Sequence, residues 1–268
     1  MRLNITRGMP QTDEGRITGD ESPGKTCDSG DEAGDRHMAA SALVLDLDGT
    51  LVDTAPDLAQ ATNHLLAQNG RRPVTLDEIR SLVGQGARKL IRRGFALTGE
   101  DLAEDRVERL FEQFIDYYGE HVSENSRPFP GVVALLERCR DAGIRLAVCT
   151  NKQETLSLRL LADLGLTRYF SAIVGADTVG VAKPDPAPYL EAVRRAGSTV
   201  ADSLMVGDSG TDVLLARAVG VPVIAVSFGY SVPSVAEFEP DYLVDHFDEV
   251  WPLVSAGFAP AVQGLATA

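Results

Sequence analysis

The chain has 268 residues, of which 44% are hydrophobic and 24% charged, and its formal net charge is -14. This composition is typical of a globular fold with one large core, or with one core and a smaller module. The acidic excess argues against a nucleic-acid partner, whose phosphates require a basic surface, and no apolar run approaches the roughly 18 residues of a membrane span.

Residues 1–37 differ from the rest of the chain, with six glycines, eight acidic residues and no Phe, Tyr or Trp. Such a segment buries too little apolar surface to offset its ordering entropy, so we predict a disordered tail. Its stretch Gly19 to Thr26 fits a phosphate-binding P-loop pattern, but no apolar run precedes it and no helix pattern follows. A chance match is favoured over nucleotide binding, and Met38 is a candidate for the true start.

The three cysteines are few, odd in number and without metal-site spacing. They indicate a reducing compartment. Because no secretory signal is visible either, we expect a cytoplasmic location.

From Ala42 onward, short apolar runs alternate with helical patterns. The predicted strands are 42–47, 144–150, 171–176, 203–208 and 221–226, and the predicted helices are 131–142, 153–164, 186–196 and 210–219. Runs that are apolar throughout predict strands buried on both faces. The alternation therefore predicts a Rossmann-like α/β core, a parallel sheet with helices on both faces.

The stretch 58–128 interrupts this alternation. It contains two helical patterns, marked by Leu58, Ala61, Thr62, Leu65 and Leu66 and by Val107, Leu110, Phe111, Phe114 and Ile115. We predict a small all-helical domain inserted after the first strand. The core domain would then comprise 38–57 and 129–268.

Polar side chains follow four of the predicted strands. They are Asp46 and Asp48, Thr150 and Asn151, Lys183, and Asp208 and Asp212. Ligands of open parallel sheets bind at the carboxyl ends of the strands, so we expect these side chains to share one crevice. Carboxylates with water suit Mg²⁺, which prefers oxygen ligands in octahedral geometry.

Four motifs carry a family resemblance. They are DLDGTLVDT (46–54), VCTNK (148–152), KPDP (183–186) and VGDSGTD (206–212). In this order and on these strand ends they resemble the haloacid dehalogenase-like superfamily, over residues 42–250. The helical insertion resembles the cap of the subgroup that contains phosphoglycolate phosphatase.

The resemblance implies a role for each motif residue. Asp46 is the nucleophile that becomes an aspartyl phosphate, and Asp48 is the general acid and base. The residues implied to hold the phosphoryl oxygens are Thr150, Asn151 and Lys183. The implied Mg²⁺ ligands are Asp46, the backbone carbonyl of Asp48, and Asp208. Asp212 is implied to support Lys183 or a metal-bound water.

The insertion also contains a candidate specificity segment. Gly84, Gln85 and Gly86 form a flexible loop that can approach a ligand closely. A basic cluster follows, formed by Arg88, Lys89, Arg92 and Arg93. For most of these side chains a solvated helix face is favoured. Arg88 is the candidate for contact with a substrate carboxylate.

The resemblance implies a Mg²⁺-dependent phosphatase for a small phosphorylated metabolite, with phosphoglycolate favoured. Asp48 argues against the superfamily's dehalogenases and phosphonatases, which lack an acid there. Phosphatases for other sugar or amino-sugar phosphates and a sugar-phosphate mutase of the same subgroup stay open. A non-enzymatic sensor of phosphorylated ligands is disfavoured, because a sensor needs neither the nucleophile nor the acid.

Overall fold

The computed structural model describes residues 41–256. The predicted disordered tail and its P-loop-like stretch lie outside this range. Among the described residues, no helix combines the length and the apolar composition that crossing a membrane requires.

The core is a parallel sheet of six strands. Eight strands occur in chain order: β1 (Ala42–Leu45), β2 (Val52–Asp53), β3 (Arg127–Pro128), β4 (Arg145–Cys149), β5 (Ala172–Val174), β6 (Ser203–Gly207), β7 (Val223–Val226) and β8 (Tyr242–Val244). The large sheet has the order β5-β4-β1-β6-β7-β8, and all of its neighbours are parallel. The predicted parallel α/β core is confirmed.

Helices cover both faces of this sheet. They are α5 (Val132–Asp141), α6 (Glu154–Asp163), α7 (Pro186–Ala196), α8 (Gly210–Val219) and α9 (Val250–Ser255). Leu43 and Leu45 of β1 join one apolar core with α5, α6 and α9, whereas Val44 joins a second core with α7 and α8. Successive strand residues point to opposite faces, so strands that are apolar throughout supply both cores.

Four helices lie between β2 and β3. They are α1 (Ala55–Gln68), α2 (Leu76–Leu82), α3 (Ala87–Thr98) and α4 (Glu104–Glu120). The helices α1, α3 and α4 each bury an apolar stripe at helical spacing, such as Leu58, Leu65 and Leu66 of α1, whereas α2 buries Ile79. At the start of α2, Thr75 and Glu78 form a reciprocal capping box, which fixes where that helix begins.

The two connections of this helical segment to the sheet are tied to each other. β2 and β3 pair as an antiparallel ribbon. Asp57, fully buried in the first turn of α1, accepts hydrogen bonds from the backbone amides of Asn125 and Ser126 and from both of their side chains. The two connections are therefore joined to each other at the base of the helical segment.

The structure adds strands that the sequence did not predict. β8 has three residues and is only partly buried, so it has no apolar run to reveal it. β2 and β3 have two residues each and form because their chains meet at the base of the helical segment.

Candidate active site

Three neighbouring strands deliver the predicted site residues to one edge of the sheet. Asp46 directly follows β1, Thr150 follows β4, and Asp208 follows β6. Because β4, β1 and β6 are adjacent and parallel, their carboxyl ends meet there. Lys183 reaches the same point from the loop between β5 and α7.

A buried lysine lies among three carboxylates. The Lys183 side chain is 1% exposed, and its Nζ lies 2.9 Å from Asp46 Oδ1 and 2.6 Å from Asp212 Oδ1. Asp46, Asp208 and Asp212 each present a carboxylate oxygen within 4.8 Å of the others. One ammonium therefore faces three acids, and the group carries excess negative charge.

Burial and the neighbouring charges shift the pKa values of this group. Burial raises the pKa of Asp46 to about 6, although the charge of Lys183 lowers it. Burial, reinforced by Asp46 and Asp212, also raises the pKa of Asp208 well above its usual value. Burial acts to lower the pKa of Lys183, but Asp212 and Asp46 more than reverse this effect. The available metal ligands are carboxylate oxygens that carry excess negative charge, and such ligands fit a hard divalent cation.

The hydrogen bonds of the acids leave some oxygens free. Asp208 accepts from the Thr50 hydroxyl at 3.2 Å and from the Tyr230 amide at 2.6 Å. Within residues 41–256, both polar contacts of Asp46, with the Leu47 amide at 2.7 Å and with Lys183, fall on Oδ1. Its Oδ2 is thus left without a protein donor.

Two glycines allow the backbone to approach Asp208. A Cβ at Gly49, whose φ is +85°, would lie 2.5 Å from Asp208 Oδ2. A Cβ at Gly229 would lie 2.2 Å from Asp208 Cβ. Any larger residue at either position would displace this carboxylate.

Asp48 belongs to a separate group of contacts. Its Oδ1 accepts from Thr54 Oγ1 at 2.8 Å and from Lys152 Nζ at 2.8 Å, and its Oδ2 lies 3.1 Å from the same Nζ. Lys152 also donates to the hydroxyl of Tyr118, in α4, at 2.8 Å. Burial raises the pKa of Tyr118 to about 12.

No role for Lys152 was predicted from the sequence. It closes the VCTNK motif directly after two predicted ligands, and this position was the available signal. Its contacts with an acid from one strand end and a tyrosine of the helical segment depend on the fold.

Asn151 and Thr150 both lie at the end of β4, and their side chains bind within the protein. Asn151 Nδ2 donates to the carbonyls of Gly84 and Lys183, each at 3.2 Å, and its Oδ1 accepts from the Lys183 amide at 2.8 Å. The Thr150 hydroxyl accepts from the Lys152 amide at 3.2 Å. Asn151 therefore joins the loop of Lys183 to the glycine loop before α3.

A cavity of about 500 Å³ opens between these groups and the helical segment. Asp46, Asp48 and Lys152 line its floor. Its wall on α4 consists of residues at helical spacing, namely Phe111, Phe114, Ile115 and Tyr118. The predicted specificity residues Gly84, Gly86 and Arg88 also line it.

The basic cluster of α3 is divided between two sets of partners. Arg88 pairs with Glu108 of α4 through two bonds of 2.7 and 2.8 Å, and its guanidinium lies 3.6 Å from the centre of the Phe111 ring. Arg92, one turn after Arg88 on α3, pairs with Glu104 of α4. The remaining two, Lys89 and Arg93, contact Gln85.

Tyr230 connects the acid group to the helical segment. Its amide binds Asp208, while its hydroxyl bonds to Asp53 and accepts from the Ala55 amide at 3.0 Å. Asp53 also pairs with Arg80 of α2 at 3.3 Å. The sequence analysis gave Tyr230 no such role, because these partners lie far away along the chain.

The chain was compared with known proteins. The family model described as haloacid dehalogenase-like hydrolase matches residues 43–226, and this range contains the four strand-end motifs. The chain belongs to this family. The resemblance in the motifs is thereby confirmed.

Similar proteins have similar lengths and names. A relative from Agrobacterium fabrum named phosphoglycolate phosphatase is 48% identical over 223 residues, which are 81% of this chain and 96% of that protein. One from Caulobacter vibrioides with the same name is 44% identical and is covered over 90% of its length. A crystal structure from Haemophilus somnus, described as a predicted phosphoglycolate phosphatase, matches with a TM-score of 0.75 at 30% identity, covering 81% of this chain and 98% of the other.

Proposed function

We propose that the chain is a Mg²⁺-dependent phosphatase that hydrolyses phosphoglycolate to glycolate and phosphate through an aspartyl phosphate. The observation that carries this proposal is the buried group of Asp46, Lys183, Asp208 and Asp212, of which Asp46 lines the floor of one cavity together with Asp48. The names of the similar proteins support phosphoglycolate as the substrate. The substrate is thus a small phosphorylated metabolite.

In the first step, Asp46 Oδ2 attacks phosphorus while the bond from phosphorus to the leaving oxygen breaks. Asp48 gives its proton to that oxygen, and glycolate departs. In the second step, Asp48 accepts a proton from water as the water oxygen attacks phosphorus, and the bond from phosphorus to Asp46 Oδ2 breaks. Phosphate leaves, and both carboxyl groups return to their starting states.

The chain's cations and donors stabilise the phosphoryl group during both steps. Lys183, whose Nζ lies 2.9 Å from Asp46 Oδ1, places an ammonium beside the attacking carboxylate. Thr150 and Asn151 are the proposed phosphate ligands at the end of β4, Thr150 through its hydroxyl and Asn151 through its backbone amide, because the Asn151 side chain already donates to the Gly84 and Lys183 carbonyls. With Lys183 they orient the phosphoryl oxygens. Phosphoryl transfer depends mainly on such positioning and charge neutralisation.

The metal ligands are proposed to be Asp46, Asp208 and the backbone carbonyl of Asp48, with Asp212 supporting Lys183. A Mg²⁺ ion held by these residues would neutralise charge on the phosphoryl group. The raised pKa values of Asp46 and Asp208 support this assignment, because burial and the neighbouring acids raise them and a bound cation would favour the ionised form of both groups.

Segment 58–128 is proposed to act as a cap that closes over the core and excludes water from the aspartyl phosphate. The contact of Asn151 with the Gly84 carbonyl and the contribution of α4 to the cavity wall support this function. Gly84, Gly86 and Arg88 would then face the part of the substrate that lies away from phosphorus. Two free, buried cysteines among the described residues are compatible with a cytoplasmic location.

The test is phosphate release from a panel of substrates in the presence of Mg²⁺. The panel contains phosphoglycolate, a hexose phosphate, an amino-sugar phosphate and p-nitrophenyl phosphate. We expect the largest kcat/KM for phosphoglycolate. A hexose phosphate that is isomerised without phosphate release, followed by nuclear magnetic resonance, would contradict the proposal in favour of a mutase.

A further inference from the structure

The hydroxyl of Tyr118 contacts the machinery proposed for proton transfer without touching the cavity's acids itself. It lies 2.8 Å from Lys152 Nζ, which in turn lies 2.8 and 3.1 Å from the two carboxylate oxygens of Asp48. Tyr118 is 1% exposed, and the Lys152 side chain is 5% exposed. The three residues come from α4, from the end of β4 and from the end of β1.

Packing alone does not explain the tyrosine. Its ring lies 5.5 Å from that of Phe114 within the apolar core, where a phenylalanine would serve as well. Its hydroxyl oxygen is a buried polar atom, which is costly to bury unless it is hydrogen-bonded. Lys152 meets this requirement, and the Tyr118 ring also lies 4.6 Å from the ammonium.

The contact restrains the lysine. An ammonium has three donors on a flexible stem and has no preferred direction of its own. Here the donors face Asp48 Oδ1, Asp48 Oδ2 and the Tyr118 hydroxyl. The tyrosine thus limits where Lys152 can lie, and Lys152 limits how the Asp48 carboxyl is turned.

We propose that Tyr118 is a positioning residue that, through Lys152, orients the Asp48 carboxyl toward the leaving oxygen of the substrate. The inference rests on the proposed function, in which Asp48 protonates that oxygen. Because Tyr118 belongs to the helical segment, this restraint on Lys152 and Asp48 exists only while α4 is seated against the core; the bond from Thr54 Oγ1 to Asp48 does not depend on α4. The proton passes from Asp48 to the leaving oxygen, and neither Tyr118 nor Lys152 gains or loses one.

The test is the dependence of kcat/KM on the leaving group in Tyr118→Phe. kcat/KM reports the steps up to departure of the leaving group, so later hydrolysis of the aspartyl phosphate does not affect it. An alkoxide needs a proton in order to leave, whereas p-nitrophenolate does not. Complete loss of a general acid costs about 10²–10⁴-fold in rate. We therefore expect a misplaced acid to cost about tenfold on alkyl phosphates and less than about threefold on p-nitrophenyl phosphate.

The matched control is Tyr117→Phe, the neighbouring position on the same helix. The Tyr117 ring is stacked between His64 and His121, and its hydroxyl accepts from Gln60 outside the cavity. Kinetics of this variant should be unchanged across the series. Thermal unfolding of both variants establishes that the fold is intact.

A second variant tests the route through Lys152. In a Lys152→Met background, Tyr118→Phe should add no further dependence on the leaving group, because its effect has already been removed. A parallel loss on all esters, an unchanged profile in Tyr118→Phe, or full additivity with Lys152→Met would overturn the inference. The ester series also separates this inference from the substrate proposal. Failure to hydrolyse phosphoglycolate alone would refute the substrate, while the other alkyl and aryl esters still test Tyr118.

Discussion

Removal of the Lys183 charge should destabilise the metal-free protein. The lysine is buried between Asp46 and Asp212, with Asp208 close to both. The substitution Lys183→Met keeps a side chain of similar length but removes the ammonium that neutralises the three acids. Breaking a buried ion pair from one side costs about 3–5 kcal/mol, so we expect the free energy of unfolding at pH 8 to fall by about that amount.

The loss should depend on pH in a defined direction. In the wild type, burial raises the pKa of Asp46 to about 6, and Lys183 opposes this rise. Unfolded aspartate has a pKa of about 3.9, so the folded state binds more protons, and stability falls as pH rises through this interval. Without Lys183 the folded pKa of Asp46 rises further, and the fall continues above pH 6. The deficit of the variant should therefore be larger at pH 8 than at pH 5.

Urea denaturation in the presence of a chelator, at both pH values, measures these quantities. Lys89→Met is the control, because Lys89 is exposed and should change stability little. The expected deficit corresponds to a melting temperature lower by about 6–20 °C. Added Mg²⁺ should recover part of the loss in the variant. A deficit below about 1 kcal/mol, or one equal at both pH values, would refute the electrostatic reasoning.

Three further outcomes are expected. Chelation should abolish turnover of the wild type, and Mg²⁺ should restore that turnover, whereas Ca²⁺ should restore little because its longer, looser coordination suits the site poorly. Mg²⁺ should not restore turnover in Asp208→Ala. Full turnover of the wild type in excess chelator would contradict the metal assignment. Arg88→Ala should raise KM for phosphoglycolate but not for p-nitrophenyl phosphate. The control Arg92→Ala, which removes a similar surface ion pair on α3, should change neither KM value. Equal losses on both substrates would exclude a role for Arg88 in binding the carboxylate. Asp57→Ala should lower the free energy of unfolding by about 2–4 kcal/mol in urea denaturation, because it removes the acceptor of several buried hydrogen bonds; a loss near that of Lys89→Met would contradict this.

The sequence was sufficient for the parallel core because its strands are apolar throughout and alternate with regular helices. The predicted helix 186–196 coincides with α7, and the predicted 153–164 exceeds α6 by one residue at each end. β8 was missed because a strand of three residues, of which only Val244 is buried, is too short to show a periodicity. Sequence patterns that span a complete strand or helix could therefore be predicted, whereas short paired strands such as β8 could not.

The same limit applies to the site. Residues fixed to strand ends, such as Asp46 and Asp208, could be brought together by the rule for parallel sheets alone. Side-chain pairs could not, because the partners of Lys152 and Arg88 lie on other elements. Such pairs depend on packing between the helical segment and the sheet, which no local pattern encodes.

The central claim is that Asp46 carries the phosphoryl group during turnover. The most direct measurement is mass spectrometry of acid-quenched enzyme after brief reaction with phosphoglycolate and Mg²⁺, reading the peptide that contains Asp46. We predict one phosphoryl group on that peptide in the wild type, none in Asp46→Asn, and turnover of the variant reduced by about 10⁴-fold or more. Substantial turnover by a folded Asp46→Asn protein, or a phosphoryl group on another residue, would contradict the account.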